Sequence, residues 1–146
     1  MLRLDVDNQR IIGCISSDLF HVELVSHLIS DVLTYDQVHD TTKPVLVTRE
    51  LLKNAVVHGN RENPELDASF VIEKLQNGRF KITVKDAGDG FDYRQCLMHI
   101  PLDPRRDHRM GYAIIGNFSD SIEFADNGSS VTVTLRLEES SVGGRT

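Results

Sequence analysis

The apolar positions of this chain change period twice, and those changes mark out its elements. Residues 2 to 6 alternate apolar and polar, Asp7-Asn8-Gln9 reads as a turn and Ile11 to Ile15 is a short apolar run, which together predict an N-terminal hairpin over about residues 2–15. The period then becomes helical. Ser16-Ser17-Asp18 offers N-cap oxygens to a helix whose apolar positions are Leu19, Val22, Leu24, Val25, Leu28, Ile29, Val32 and Leu33, the first core element. Thr41-Thr42-Lys43-Pro44 places hydroxyls and a proline where a second helix begins; it runs on to His58, with Gly59 as its C-cap. After a polar loop from Asn60 to Asp67 the alternation returns. Ala68 to Leu75 and Arg79 to Asp86 predict two strands joined by Gln76-Asn77-Gly78. A proline-punctuated segment, Tyr93 to Arg109, leads to a short buried helix within Met110 to Phe118. Two last strands, Ser121 to Ala125 and Ser130 to Leu137, flank Asp126-Asn127-Gly128, and the serine- and glycine-containing tail from 138 to 146 is expected to be disordered.

Composition narrows the classes. A chain of 146 residues with 40% hydrophobic and 26% charged content suits one globular domain, residues 1–137, that needs no disulfide or metal to hold its core. Sixteen basic against 22 acidic residues, a net charge of −6, argue against general affinity for nucleic acid or an anionic membrane. Cys14 and Cys96 lie outside any C-x-x-C unit, so zinc and a disulfide framework have no support and a reducing cytoplasm is expected. No apolar run approaches the roughly 18 residues of a membrane span, and the N-terminus alternates instead of forming a signal-peptide core.

The candidate chemistry falls in three places. At 3.6 residues per turn, Glu50, Asn54 and His58 share one line of the second helix. The Asn54 carboxamide is a hard neutral ligand suited to a Mg²⁺ that keeps most of its waters, and Glu50 one turn earlier can orient or deprotonate a hydroxyl. Asp86 ends a strand, where its carboxylate can accept from a purine amine, while Gly88 and Gly90 let the backbone approach that ring. Gly111 opens a helix after a basic loop, so free N–H groups there suit phosphates. Taken singly, each signal has an ordinary counterpart. The Glu50 line reads equally as a solvated helix face, D-x-G-x-G as a turn, Arg105, Arg106 and Arg109 as solvated loop charges, and His58 as a helix-end packing residue.

In order and spacing the three resemble the motifs of the GHKL or Bergerat-fold ATPases, which include gyrase, the mismatch-repair ATPase MutL and histidine kinases. Glu50-x-x-x-Asn54-Ala55-x-x-His58-Gly59 resembles the N box of that family, Asp86-x-Gly88-x-Gly90-Phe91 its first glycine box and Met110-Gly111-Tyr112-x-Ile114-Ile115 its second. The similarity spans roughly residues 19 to 137 and looks closest to the single-domain anti-sigma-factor serine/threonine kinases.

The resemblance implies an α/β two-layer sandwich, a mixed and mainly antiparallel sheet on one side and helices on the other, with ATP between helix and lid. Carried over by position, Asn54 binds Mg²⁺, Glu50 is the general base, Asp86 recognises the adenine amino group, and Gly88, Gly90 and Gly111 shape the pocket. Residues 93–109 become the ATP lid, with Arg105 and Arg106 as its cations. Relatives have glycine where this chain has Arg109, which either clasps a phosphate or obstructs the close backbone approach. The implied partners are a STAS-domain anti-anti-sigma protein, which the kinase phosphorylates on serine, and a sigma factor or similar regulator, which it sequesters; a homodimer is also implied. A non-catalytic binding module on the same fold is the alternative from another class. An ATPase that drives its own dimerisation is a third.

Overall fold

The computed structural model describes residues 1–38, 40–88, 115–116 and 119–136. The expected lid at 93–109, the residues Gly90, Arg105, Arg106, Arg109 and Gly111, and the tail from 138 lie outside the described residues.

Six strands form one sheet: β1 (Leu2–Val6), β2 (Arg10–Ser16), β3 (Asp67–Lys74), β4 (Arg79–Lys85), β5 (Ser121–Ala125) and β6 (Ser130–Arg136). Their order across the sheet is β1-β2-β3-β4-β6-β5, and every described neighbour pair is antiparallel. Among the described residues, α1 (Leu19–Tyr35) and α2 (Thr42–Asn54) supply the second layer of the expected α/β sandwich. Strand boundaries lie within a residue of those read from alternation, because one face of the sheet is buried and a one-residue slip would turn every apolar side chain outward. Ile11 and Ile15 of β2, Ala68, Phe70 and Ile72 of β3, Phe80, Ile82 and Val84 of β4 and Val131, Val133 and Leu135 of β6 line that face. The opposite face is more polar: Thr83 and Thr132 meet across β4 and β6 with their hydroxyls 3.2 Å apart.

Turn chemistry sets the registers. Asp7 accepts from the N–H groups of Gln9 and Arg10 at 2.9 and 2.8 Å, closing the first hairpin and holding its carboxyl below the usual aspartate value. Between β3 and β4, Asn77 and Gly78 both have positive φ, 65° and 70°, as an Asn-Gly hairpin turn requires.

Both helices depart in detail from the periodicity reading. Asp18 caps α1 by accepting from the Phe20 N–H at 2.7 Å. Val22, Val25, Ile29 and Leu33 are buried as expected, yet Leu19 and Leu24 remain 40% exposed, because a helix in a two-layer sandwich meets the sheet along only one stripe. At the start of α2, no threonine hydroxyl caps the helix; Asp40 takes the Thr42 N–H at 2.9 Å instead. α2 ends at Asn54 and continues as a π-helical turn, Ala55–Gly59. Glu50 and Asn54 are buried, whereas His58, inside the π-helical turn, is half-buried.

One glycine is demanded by packing. Gly13 of β2 stands directly opposite Phe70 of β3, and a Cβ on Gly13 would run into the aromatic ring. Gly13→Ala is expected to cost about 1–3 kcal/mol by overpacking, and less in a Phe70→Leu background. Urea unfolding of the two single variants and the double variant checks this; equal costs in both backgrounds would place the strain elsewhere.

Candidate active site

Glu50 and Asn54 settle first which reading of the α2 polar line applies. They are 6% and 4% exposed, so the line is not a solvated face. Burying a carboxylate and a carboxamide is costly unless they are paired, and here the pairing is incomplete. Glu50 Oε2 accepts from Arg49 Nη1 at 3.1 Å. Arg49 also reaches α1, its Nε 2.9 Å and its Nη2 2.8 Å from Glu23 Oε2. The buried Nδ2 of Asn54 has no partner among the described residues. An amide left in that state marks a place where a bound group can complete the bonding.

The π-helical turn then delivers Gly59 and Asn60 to the end of β4. Asp86 follows β4 and is tied down at its backbone, its N–H donating to the Ser129 carbonyl at 2.9 Å. Its Oδ1 accepts from the Gly88 N–H at 2.8 Å. The carboxylate lies on Gly59 so closely that a Cβ there would collide with it, and a Cβ on Gly88 would collide with the Gly59 carbonyl. Gly59 is therefore not a left-handed C-cap; the residues with positive φ come just after it, Arg61 at 53° and Glu62 at 56°. Gly88 likewise has a reason independent of any purine ring, since the Gly59 carbonyl occupies the space its side chain would need. Burial raises the Asp86 carboxyl above the usual aspartate value, partly opposed by the Gly88 N–H.

Asn60, read from sequence as the first residue of a polar loop, holds these pieces together. It is 1% exposed. Its Nδ2 donates to Ser17 Oγ at 2.8 Å and to the Asp67 carbonyl at 3.1 Å, and its Oδ1 accepts from the Ala87 N–H at 2.8 Å. Ser17 passes the chain on by donating to the Leu66 carbonyl at 2.7 Å. One carboxamide thus joins the start of α1, the start of β3 and the loop after β4. Its position beside Gly59 was the sole hint in the sequence, and nothing local distinguishes a buried asparagine from a loop one. A cleft of about 430 Å³ opens beside this network, lined in part by Gly59, Asn60, Arg61, Ala87 and Gly88.

The sequence model of the histidine kinase-like ATPase domain matches residues 15–136. This chain belongs to that family. Its sequence is similar to the anti-sigma F factor of Bacillus cytotoxicus, 30% identical over 108 residues covering 69% of this chain and 73% of the relative. It is also similar to the serine-protein kinase RsbW of Staphylococcus aureus strains JH9 and Newman, 24% identical over 117 residues covering 75% of this chain and 72% of each relative. The recognition from motif order and the ATP-binding, GHKL-type fold it implied are thereby established.

The structure brings Glu50 and Asn54 onto one buried helix segment and sets Asp86 and Gly88 against the turn that follows it. Among the described residues, no cluster of three or more His, Cys, Asp or Glu side chains is placed to hold a metal ion. No described helix is long and apolar enough to cross a membrane.

Asn60→Ala is expected to destabilise the fold by about 3 kcal/mol, since it strands the Ala87 N–H and removes two donors. Asn60→Asp keeps the shape but turns acceptors toward Ser17 and the Asp67 carbonyl, and a comparable loss is expected. Denaturant unfolding of both variants tests the network, and an unperturbed Asn60→Asp protein would refute it.

Proposed function

We propose that the chain is an ATP-dependent protein serine/threonine kinase of the anti-sigma-factor type, which phosphorylates a STAS-domain antagonist and sequesters a sigma factor or similar regulator. The observation that carries this reading is the buried pair itself: a carboxylate and a carboxamide held out of water on one helix, with the carboxamide nitrogen unpartnered among the described residues. The similar proteins, an anti-sigma factor and serine-protein kinases, support the same reading.

In this mechanism Glu50 accepts the proton of the acceptor serine as its oxygen attacks the γ-phosphorus, and the bond from that phosphorus to the departing ADP oxygen breaks. Asn54 would hold Mg²⁺ through its amide oxygen, a hard neutral donor of the kind this ion takes in small number. When bound, the ion neutralises phosphate charge. Asp86 accepts from the adenine amino group, on a backbone fixed by Ser129 and Asn60. Of the remaining candidates, Gly90 joins Gly88 in letting the backbone approach the purine ring, and Gly111, Arg109 and the lid cations Arg105 and Arg106 serve the phosphate side in this reading.

Transfer from γ-labelled ATP to purified STAS-domain proteins of the same genome, tried in turn, tests the kinase. Glu50→Gln is expected to lower the rate by about a hundredfold or more while ATP binding persists, and equal labelling by both proteins would remove Glu50 as the base. ATP binding without transfer to any acceptor would leave the sequestering module as the function.

The Asp86 role is tested by calorimetry. Asp86→Ala is expected to weaken ATP binding by about tenfold or more. The wild-type advantage needs an ionised carboxylate, so it is full above the Asp86 pKa and lost as pH falls through it; because that pKa is raised, the loss begins at a higher pH than an ordinary aspartate would give. Taking the ratio of wild-type to variant affinity at each pH cancels the titration of ATP. A ratio that stays flat down to the ordinary aspartate range would contradict the assignment.

A further inference from the structure

We infer that Arg49 is a positioning residue for Glu50, a brace from α1 that fixes the base where the acceptor hydroxyl must meet it; the inference rests on the reading of Glu50 as that base. Side chains one residue apart on a helix point about 100° away from each other and do not normally meet. Arg49 nevertheless donates to Glu50 Oε2 at 3.1 Å. What turns it back is Glu23, one full helix away, whose Oε2 takes both Nε at 2.9 Å and Nη2 at 2.8 Å.

The guanidinium suits this task. It is planar and carries donors on separate edges, so anchoring Nε and Nη2 on α1 leaves Nη1 aimed at Glu50 in a fixed orientation. The two halves of the brace differ in environment. Glu23 is 52% exposed at its side chain, and a pair of that kind contributes little to stability by itself. Glu50 is 8% exposed at its side chain, and Arg49 Nη1 is 3.1 Å from its Oε2, so the partner fixes the orientation of a buried group. The arrangement therefore spends a weak surface contact on orienting a buried group. Only Oε2 is engaged by Arg49, so the brace restricts rotation of the carboxylate without taking both of its oxygens.

Holding a catalytic group within a fraction of an ångström of its working place affects turnover more than substrate affinity. Using the same labelled-ATP assay with the STAS-domain acceptor that is phosphorylated, Arg49→Ala is expected to lower kcat about tenfold with the KM for ATP within about twofold. Arg49→Lys, which keeps the charge but loses the fork, is expected to recover about a third of the wild-type rate. Glu23→Gln, which keeps an acceptor for Arg49 but removes the charge of its anchor, is expected to reduce kcat about threefold. In a Glu50→Gln background, Arg49→Ala is expected to cause no further loss, because the group it positions is already disabled. Calorimetric ATP affinity and the melting temperature of each variant report folding, and Arg49→Lys and Glu23→Gln carry the test should Arg49→Ala not fold. An unchanged kcat in Arg49→Ala, or the same fractional loss with and without Glu50, overturns the inference while leaving the kinase reading intact. Full activity of Glu50→Gln alone removes the base reading and the brace with it.

Discussion

The Asn60 carboxamide is the contact on which the arrangement of the site depends. Three segments that meet nowhere else in sequence end on it: the start of α1 through Ser17, the start of β3 through Asp67, and the loop after β4 through Ala87. Because it is buried, each of its bonds is made in a low-dielectric setting where an unmade one would be costly. The consequence is spatial. Fixing Ala87 fixes Asp86 and Gly88 on either side of it, and Asp86 is thereby laid on Gly59, five residues beyond Asn54. The helix that carries the buried pair and the strand that carries the carboxylate loop are registered against each other by this joint.

Two glycines belong to the same joint. Gly59 and Gly88 are needed for the absence of a side chain, not for unusual backbone angles, since each lies against polar atoms of the other segment. The π-helical turn has a related role. It presents Gly59 and Asn60 to the loop after β4. A regular α-helical ending would point these residues elsewhere, which is the physical reason such turns recur at functional sites.

Around this joint the site keeps polar groups buried at an energetic disadvantage. Asp86 is pushed up by desolvation, Asn54 lacks a partner for its amide nitrogen among the described residues, and Glu50 accepts from an arginine anchored on another helix. A chain selected for stability alone would replace these with apolar side chains or satisfy them fully. The apolar core beneath, from Ile15 and Phe70 to Val133 and Leu135, offsets that disadvantage and gives the buried polar groups a rigid support.

What the sequence determined by itself was local. Alternation placed the six strands, an Asn-Gly pair placed a tight hairpin between β3 and β4, and helical period placed α1 and α2, because each of these signals depends on residues within a few positions of one another. Motif spacing was legible for the same reason, and it sufficed for the family and for the Glu50, Asn54 and Asp86 candidates. The tertiary structure alone decided that Glu50 and Asn54 are buried, that Asp40 and not a threonine caps α2, and that Gly59 and Gly88 answer to each other. It alone placed Asn60 in a joint with Ser17, 43 residues away, and Ala87, 27 residues away, and turned Arg49 toward Glu50 by way of Glu23. Burial and hydrogen-bond partnership are properties of atoms brought together across such separations, and no window of sequence contains both sides of the contact.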